Sequence, residues 1–137
     1  MSRSLRFEVS HRYESADGID VPIELRVGNR KVELIVRLDT GAAHCIFERR
    51  YAEELGLDVE SGLPQRFRTM TGSFVAYGHE VALNTLGIEF SAIVFFAEAV
   101  AFSRNFVGRS GWLDRLRIGI IDYDRLLLLS GHDSQLM

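Results

Sequence analysis

From Ile19 onward, hydrophobic and polar positions alternate along the chain. "IDVPIELRV" and "KVELIVRL" each read as a strand with one apolar face, and Gly28-Asn29 between them supplies turn chemistry, so a hairpin ending at Asp39 is expected. "AAHCIF" is short and apolar, compatible with a buried strand. "ERRYAEELGL" combines good helix formers with Tyr51 and Leu55 on one face and Gly56 as a stop, which predicts one or two helical turns. β-Formers flank Thr71-Gly72-Ser73 and again Leu86-Gly87, predicting two successive hairpins. Trp112, Leu113 and Leu116 have the spacing of a short amphipathic helix, and "RIGII" and "RLLLL" flank Asp122-Tyr123-Asp124 as a last hairpin. The first sixteen residues are polar and mixed in period, with one short strand expected around Leu5 to Val9, and "GHDSQLM" reads as a frayed tail. Many short strands with glycine punctuation define a mostly β class, a small closed β-barrel with one or two short helices.

A length of 137 residues suits one domain with a single core. With 47% hydrophobic and 26% charged residues, the chain is too apolar for wholesale disorder. The net charge of −3, without a basic block, gives no electrostatic encouragement to nucleic acid. The N-terminus has no continuous apolar run and no long uncharged apolar stretch follows, so no membrane association and a cytoplasmic location are expected. Cys45, the single cysteine, makes no internal disulfide and reads as a small buried hydrophobe. Trp112 reads as a core aromatic.

Most catalytic templates are missing. There is no Gly-rich phosphate loop or dinucleotide fingerprint, and His11, His44, His79 and His132 have no zinc-like spacing. Ser110 in "GRSGW" lacks the spacing of a nucleophile elbow. Asp122 and Asp124 read as a turn, because a calcium loop needs many more oxygens. The remaining candidate is "VRLDTGAAHCIF", in which an apolar run delivers Asp39 into a tight Thr-Gly-Ala turn. A lone turn Asp ordinarily hydrogen-bonds its own backbone. Placed between two buried strands, however, it is also rigidly held, and the neighbouring glycine lets backbone approach whatever the carboxylate faces.

One carboxyl cannot both take a proton from water and give one to a carbonyl. The chain has a single Asp-Thr-Gly, so a second acid would come from a second copy paired about a two-fold axis. Two carboxyls about 3 Å apart would share one proton and titrate in two coupled steps.

"IVRLDTGAAHCIF", the hairpin "FRTMTGSFVAYGHEV", and "NFVGRSGWL" followed by "RIGIIDYDRLLLL" together resemble a retropepsin, the single-lobed aspartic protease of retroviral type, in the family's order and near its spacing. The resemblance implies a protease domain over residues 19–130, preceded by an extension over 1–18 and followed by a tail over 131–137. It implies Asp39 as catalytic acid, Thr40 gripping its counterpart across the two-fold, and Gly41 presenting backbone to substrate. It further implies Ala42 beside the substrate and Thr71-Gly72-Ser73 as the tip of a flap that closes over a peptide. Phe106, Val107, Gly108 and Arg109 would support the active-site turn, with the following helix behind them. The implied partners are a peptide or protein substrate and a second copy of the chain, with no metal or organic cofactor.

The pattern departs from the viral enzymes in one place. There an acid usually follows Asp-Thr-Gly-Ala and pairs with the arginine after the late glycine, whereas here Ala43 and His44 stand in that place. Arg109 is therefore expected to find another acid or a backbone carbonyl, since an unpaired buried guanidinium is costly. The region after Arg109 resembles cellular and bacterial relatives more than viral ones. Two other readings remain open: a module with this fold that binds or dimerises without catalysis, and an unrelated β-barrel ligand binder with an incidental Asp-Thr-Gly.

Overall fold

A computed structural model describes residues 2–134, so residues 135–137 of the expected frayed tail lie outside the described residues. The strands are β1 (Val9–Arg12), β2 (Asp20–Val27), β3 (Arg30–Leu38), β4 (Ile46–Phe47), β5 (Leu63–Thr69), β6 (Gly72–Thr85), β7 (Ile88–Ala97), β8 (Phe106–Val107), β9 (Leu116–Ile121) and β10 (Leu126–Gly131), and the one α-helix among the described residues is α1 (Arg49–Glu54). The alternation read in the sequence is carried out residue by residue. Val21, Ile23 and Leu25 of β2 and Val32, Leu34, Val36 and Leu38 of β3 all point inward, and the two strands pair from Asp20↔Arg37 to Val27↔Arg30 around Gly28 at φ +61°.

Seven strands form one sheet in the order β2-β3-β8-β4-β7-β6-β5, and a further antiparallel pairing of β2 with β6 brings its first strand back onto its sixth. The sheet thus closes into a ring around the main core, with β5 left as a free edge. β1, β10 and β9 make a separate three-stranded antiparallel sheet. Leu127 and Leu129 of β10 reach into the main core with Tyr13, Trp112 and Leu116.

Among the described residues the buried side chains form two hydrophobic clusters rather than one. The larger fills the ring; the smaller gathers Ile46, Ala76, Phe95 and Phe106 with Ala42, Phe67, Phe74 and Phe102 packed against it. The short strands β4 and β8 divide between them. Ile46 and Phe106 face the small cluster, while Phe47 and Val107 face the large one, as period-two backbone requires. β7 does the same with Phe95 and Phe96, which is why residues 94–97 are buried without interruption.

Three expectations need correction. The early strand is Val9–Arg12, later than Leu5 to Val9, because its partners are Leu126 to Leu129 and its register is set by them. The Trp112-Leu113-Leu116 spacing yields only a single 3₁₀ turn, Leu113–Arg115, because Gly111 at φ +99° and Trp112 at ψ −66° with φ −139° break the chain before it and Leu116 already begins β9. The hairpin centred on Thr71-Gly72-Ser73 instead turns at Met70-Thr71, since Thr69 pairs with Gly72. Asp122–Asp124 does form the turn of the last hairpin, a 3₁₀ turn closed by Arg125 at φ +53°.

Candidate active site

Asp39 follows directly on β3, where Leu38 aligns with Val107 of the parallel strand β8. Its amide donates to the Val107 carbonyl at 2.9 Å, so the strand that carries the acid is tied to the late apolar pair. The turn then folds on itself: the Gly41 amide donates to Asp39 Oδ1 at 3.0 Å, and the Ala42 amide to the Asp39 carbonyl at 3.1 Å. This is the turn-forming role of an aspartate, and it fixes the carboxylate while Oδ2 has no hydrogen-bond partner among the described residues. Thr40 and Gly41 are exposed and Asp39 is half-buried.

The turn is backed by the segment 106–110. The Arg109 amide donates to the Ala42 carbonyl at 2.9 Å and the Ser110 amide to the Ala43 carbonyl at 2.8 Å. Gly108 is where the two segments meet: a Cβ there would stand 2.5 Å from the carbonyl oxygens of both Ala42 and His44. Backbone meets backbone at that point, so any side chain would part the turn from its support. Cys45 completes the packing. It is fully buried, accepts from the Gly108 amide at 3.5 Å and donates to the Ser110 carbonyl at 3.6 Å. Burial pushes its thiol up to about 12.

Arg109 differs from expectation. Its side chain is exposed and forms no ion pair among the described residues, so burial does not demand a carboxylate for it. The arginine sits with Thr40, Ala43, Ser110, Leu113 and Asp114 around a shallow groove on the far side of the turn.

On the other side the turn opens into a cleft of about 620 Å³ between itself and the β5–β6 hairpin. Asp39, Gly41, Ala42 and Thr71 line it, together with Phe67, Phe74, Phe102 and Phe106 of the small cluster. Gly72 and Ser73 begin β6, and the Ser73 hydroxyl accepts from Arg66 at 3.1 Å. Phe67 stacks on Phe74 across the hairpin at 5.4 Å between centroids, Phe74 meets Phe102 at 4.8 Å, and Phe67 meets Phe95 edge-on at 5.3 Å. His44 packs edge-on against Phe67 and Phe95 at 5.7 and 5.0 Å, so one of the two residues that follow the Asp-Thr-Gly-Ala stretch is part of this aromatic wall. Sequence reasoning missed Phe67, Phe74, Phe102 and His44 as lining residues. The flanking of the hairpin turn by Phe67 and Phe74 was the available signal.

Known proteins place the fold and the chain. The crystal structure of a retropepsin-like aspartic protease from Rickettsia conorii superposes with a TM-score of 0.65 at 21% identity, covering 89% of this chain and 97% of that one. EIAV protease complexed with the inhibitor HBY-793 superposes with a TM-score of 0.52 at 16% identity, covering 71% of this chain and 86% of that one. No curated protein matches. Residues 23–121, which carry both the Asp39 turn and its Gly108 support, match the sequence model of the aspartyl protease family. The chain belongs to that family and has its retropepsin-like, single-lobed fold.

Proposed function

We propose that the chain is an aspartic endopeptidase that hydrolyses peptide bonds with two Asp39 carboxyls, one from each subunit of a homodimer. One observation carries the reading: among the described residues Asp39 is the only carboxylate lining the cleft, and it sits on a rigid turn whose Thr40 and Gly41 are exposed. A single acid is half of a hydrolytic pair. In this reading Thr40 holds its counterpart across the two-fold, and the hairpin carrying Thr71, Gly72 and Ser73 closes over the peptide. Gly41 and Ala42 border the peptide backbone, and Phe106, Val107, Gly108 and Arg109 brace the turn.

The pair carries one proton. The ionised Asp39 takes a proton from water as the water oxygen bonds to the peptide carbonyl carbon, and the protonated Asp39 gives its proton to the carbonyl oxygen. Collapse of the tetrahedral diol breaks the C–N bond: the carboxyl that took the water proton gives it to the leaving nitrogen, and the ionised carboxylate takes a proton from one diol hydroxyl, which leaves the pair again with one proton. A bell-shaped pH profile follows from the coupled pair.

The test is Asp39→Asn. The amide oxygen still accepts from the Gly41 amide, so the melting temperature should stay within a few degrees while peptide cleavage falls at least about a hundredfold. Cleavage at the wild-type rate would remove Asp39 from the mechanism. A wild-type protein that is folded and dimeric yet cleaves no peptide would leave a binding or dimerisation module on this fold.

A further inference from the structure

The floor of the cleft is aromatic, but its mouth carries charge. Arg104, in the segment between β7 and β8, lines the cleft with its guanidinium carbon 5.1 Å from the centroid of Phe106. That is within range of a cation–π contact, which holds the charge against the ring without neutralising it. The backbone beneath it is fixed. The neighbouring Asn105 accepts from the Arg37 amide through its carbonyl at 3.0 Å, accepts from the Glu48 amide through its side chain at 2.9 Å, and donates to Glu48 Oε2 at 2.6 Å. Arg26, Arg37, Arg49, Arg50 and Arg115 each have a carboxylate partner, whereas no carboxylate among the described residues pairs with Arg104.

Arg68 also borders the cleft, but the strand register separates the two arginines. Phe67 pairs with Phe74 and Arg68 with Ser73, and successive residues face opposite sides of the hairpin. With Phe67 and Phe74 turned into the aromatic wall, the Arg68 side chain stands on the outer face with Arg66 and Ser73.

We propose that Arg104 is a specificity-determining residue: it selects a peptide that carries an acidic side chain beside the large apolar residue seated among Phe67, Phe74, Phe102 and Phe106. The inference rests on the protease reading for the nature of its ligand. A carboxylate of the substrate would make with the fork of Arg104 the charge-assisted hydrogen bonds that no carboxylate among the described residues provides.

The experiment measures binding of short fluorescent peptides to Asp39→Asn protein. The peptides share a Phe-Phe centre and place Glu, Gln or Lys in turn at each flanking position. At one position Glu should bind about fivefold more tightly than Gln, and Lys more weakly than either. Arg104→Ala in the same background should level the three, and Arg104→Glu should reverse their order. Lys31→Ala, roughly 25 Å from Asp39 along β3, should leave the preference intact, which separates a local contact from general attraction. A Glu preference that survives Arg104→Ala, or the lack of any preference in the parent, overturns the assignment. The same peptides given to wild-type protein keep the two readings apart: cleavage without a Glu preference overturns Arg104 alone, an Arg104-dependent preference without cleavage overturns the protease alone, and neither binding nor cleavage overturns both.

Discussion

Cys45 shows how a residue with no part in the proposed chemistry still bears on the site. Its sulfur is enclosed by the backbone of Gly108 and Ser110, the segment that braces the Asp39 turn. The folded thiol titrates near 12, whereas an exposed one does so near 9. Below about pH 9 both states keep the proton and stability is unaffected. Above it the unfolded chain gives its proton up while the folded chain does not, so folding stability should fall by about 1.4 kcal/mol per pH unit until roughly pH 12. Denaturant titrations at several alkaline pH values should show this slope in the wild type and a flatter one in Cys45→Ala. At neutral pH that variant should be about 1–2 kcal/mol less stable, because the Gly108 amide loses its acceptor. A native thiol that alkylates as fast as free cysteine would contradict the enclosure. The burial of Cys45 was legible, since it stands inside the apolar run of "AAHCIF". The exposure of Arg109 was not: the sequence supplied a missing acid but no sign that the guanidinium had left the interior.

At the scale of elements, the hairpin of β5 and β6 depends on aromatic contacts close to its turn. Phe67, Phe74 and Phe102 form a chain of ring contacts from the hairpin to the loop before β8. Phe74 is only half-buried, so Phe74→Ala should lower stability by about 1–2 kcal/mol. Its effect on the cleft should be larger: KM for a peptide should rise about tenfold with kcat changed less, and amide exchange across residues 66–76 should accelerate. Equal losses in kcat and KM, with unaltered exchange, would show that the hairpin is held by something else. Here the sequence was informative in a specific way. Alternation located the hairpins because each of their strands has one wet face. β7 was legible as the second strand of its hairpin, but alternation gives way at its end, where Phe95 and Phe96 are both covered and periodicity vanishes. The small aromatic cluster was invisible for a related reason: its members come from β5, β6, β7, β8 and the loop before β8, and only the closed sheet brings them together. The region after Gly111 misled because spacing reports which residues are apolar, not whether the backbone ahead of them has helical dihedrals.

At the scale of the molecule, one copy presents one acid. If the proposed pair forms between subunits, specific activity should rise with protein concentration and level off near the dimer dissociation constant found by sedimentation. Constant specific activity in a protein shown to be monomeric throughout would end the shared-acid mechanism. Among the described residues no helix is long and apolar enough to cross a membrane.

Closure of the sheet through β2 and β6 has one more effect. In an open sheet a strand shifted by one residue would carry its end about 3.3 Å along and turn its side chains to the opposite face. Here β3 is gripped by β2, and β2 in turn by β6, so a seamless hoop would have to slide as a whole before Asp39 changed its address. The place of the carboxylate is therefore written into the topology, and the loop that bears it is free to vary only in what it touches.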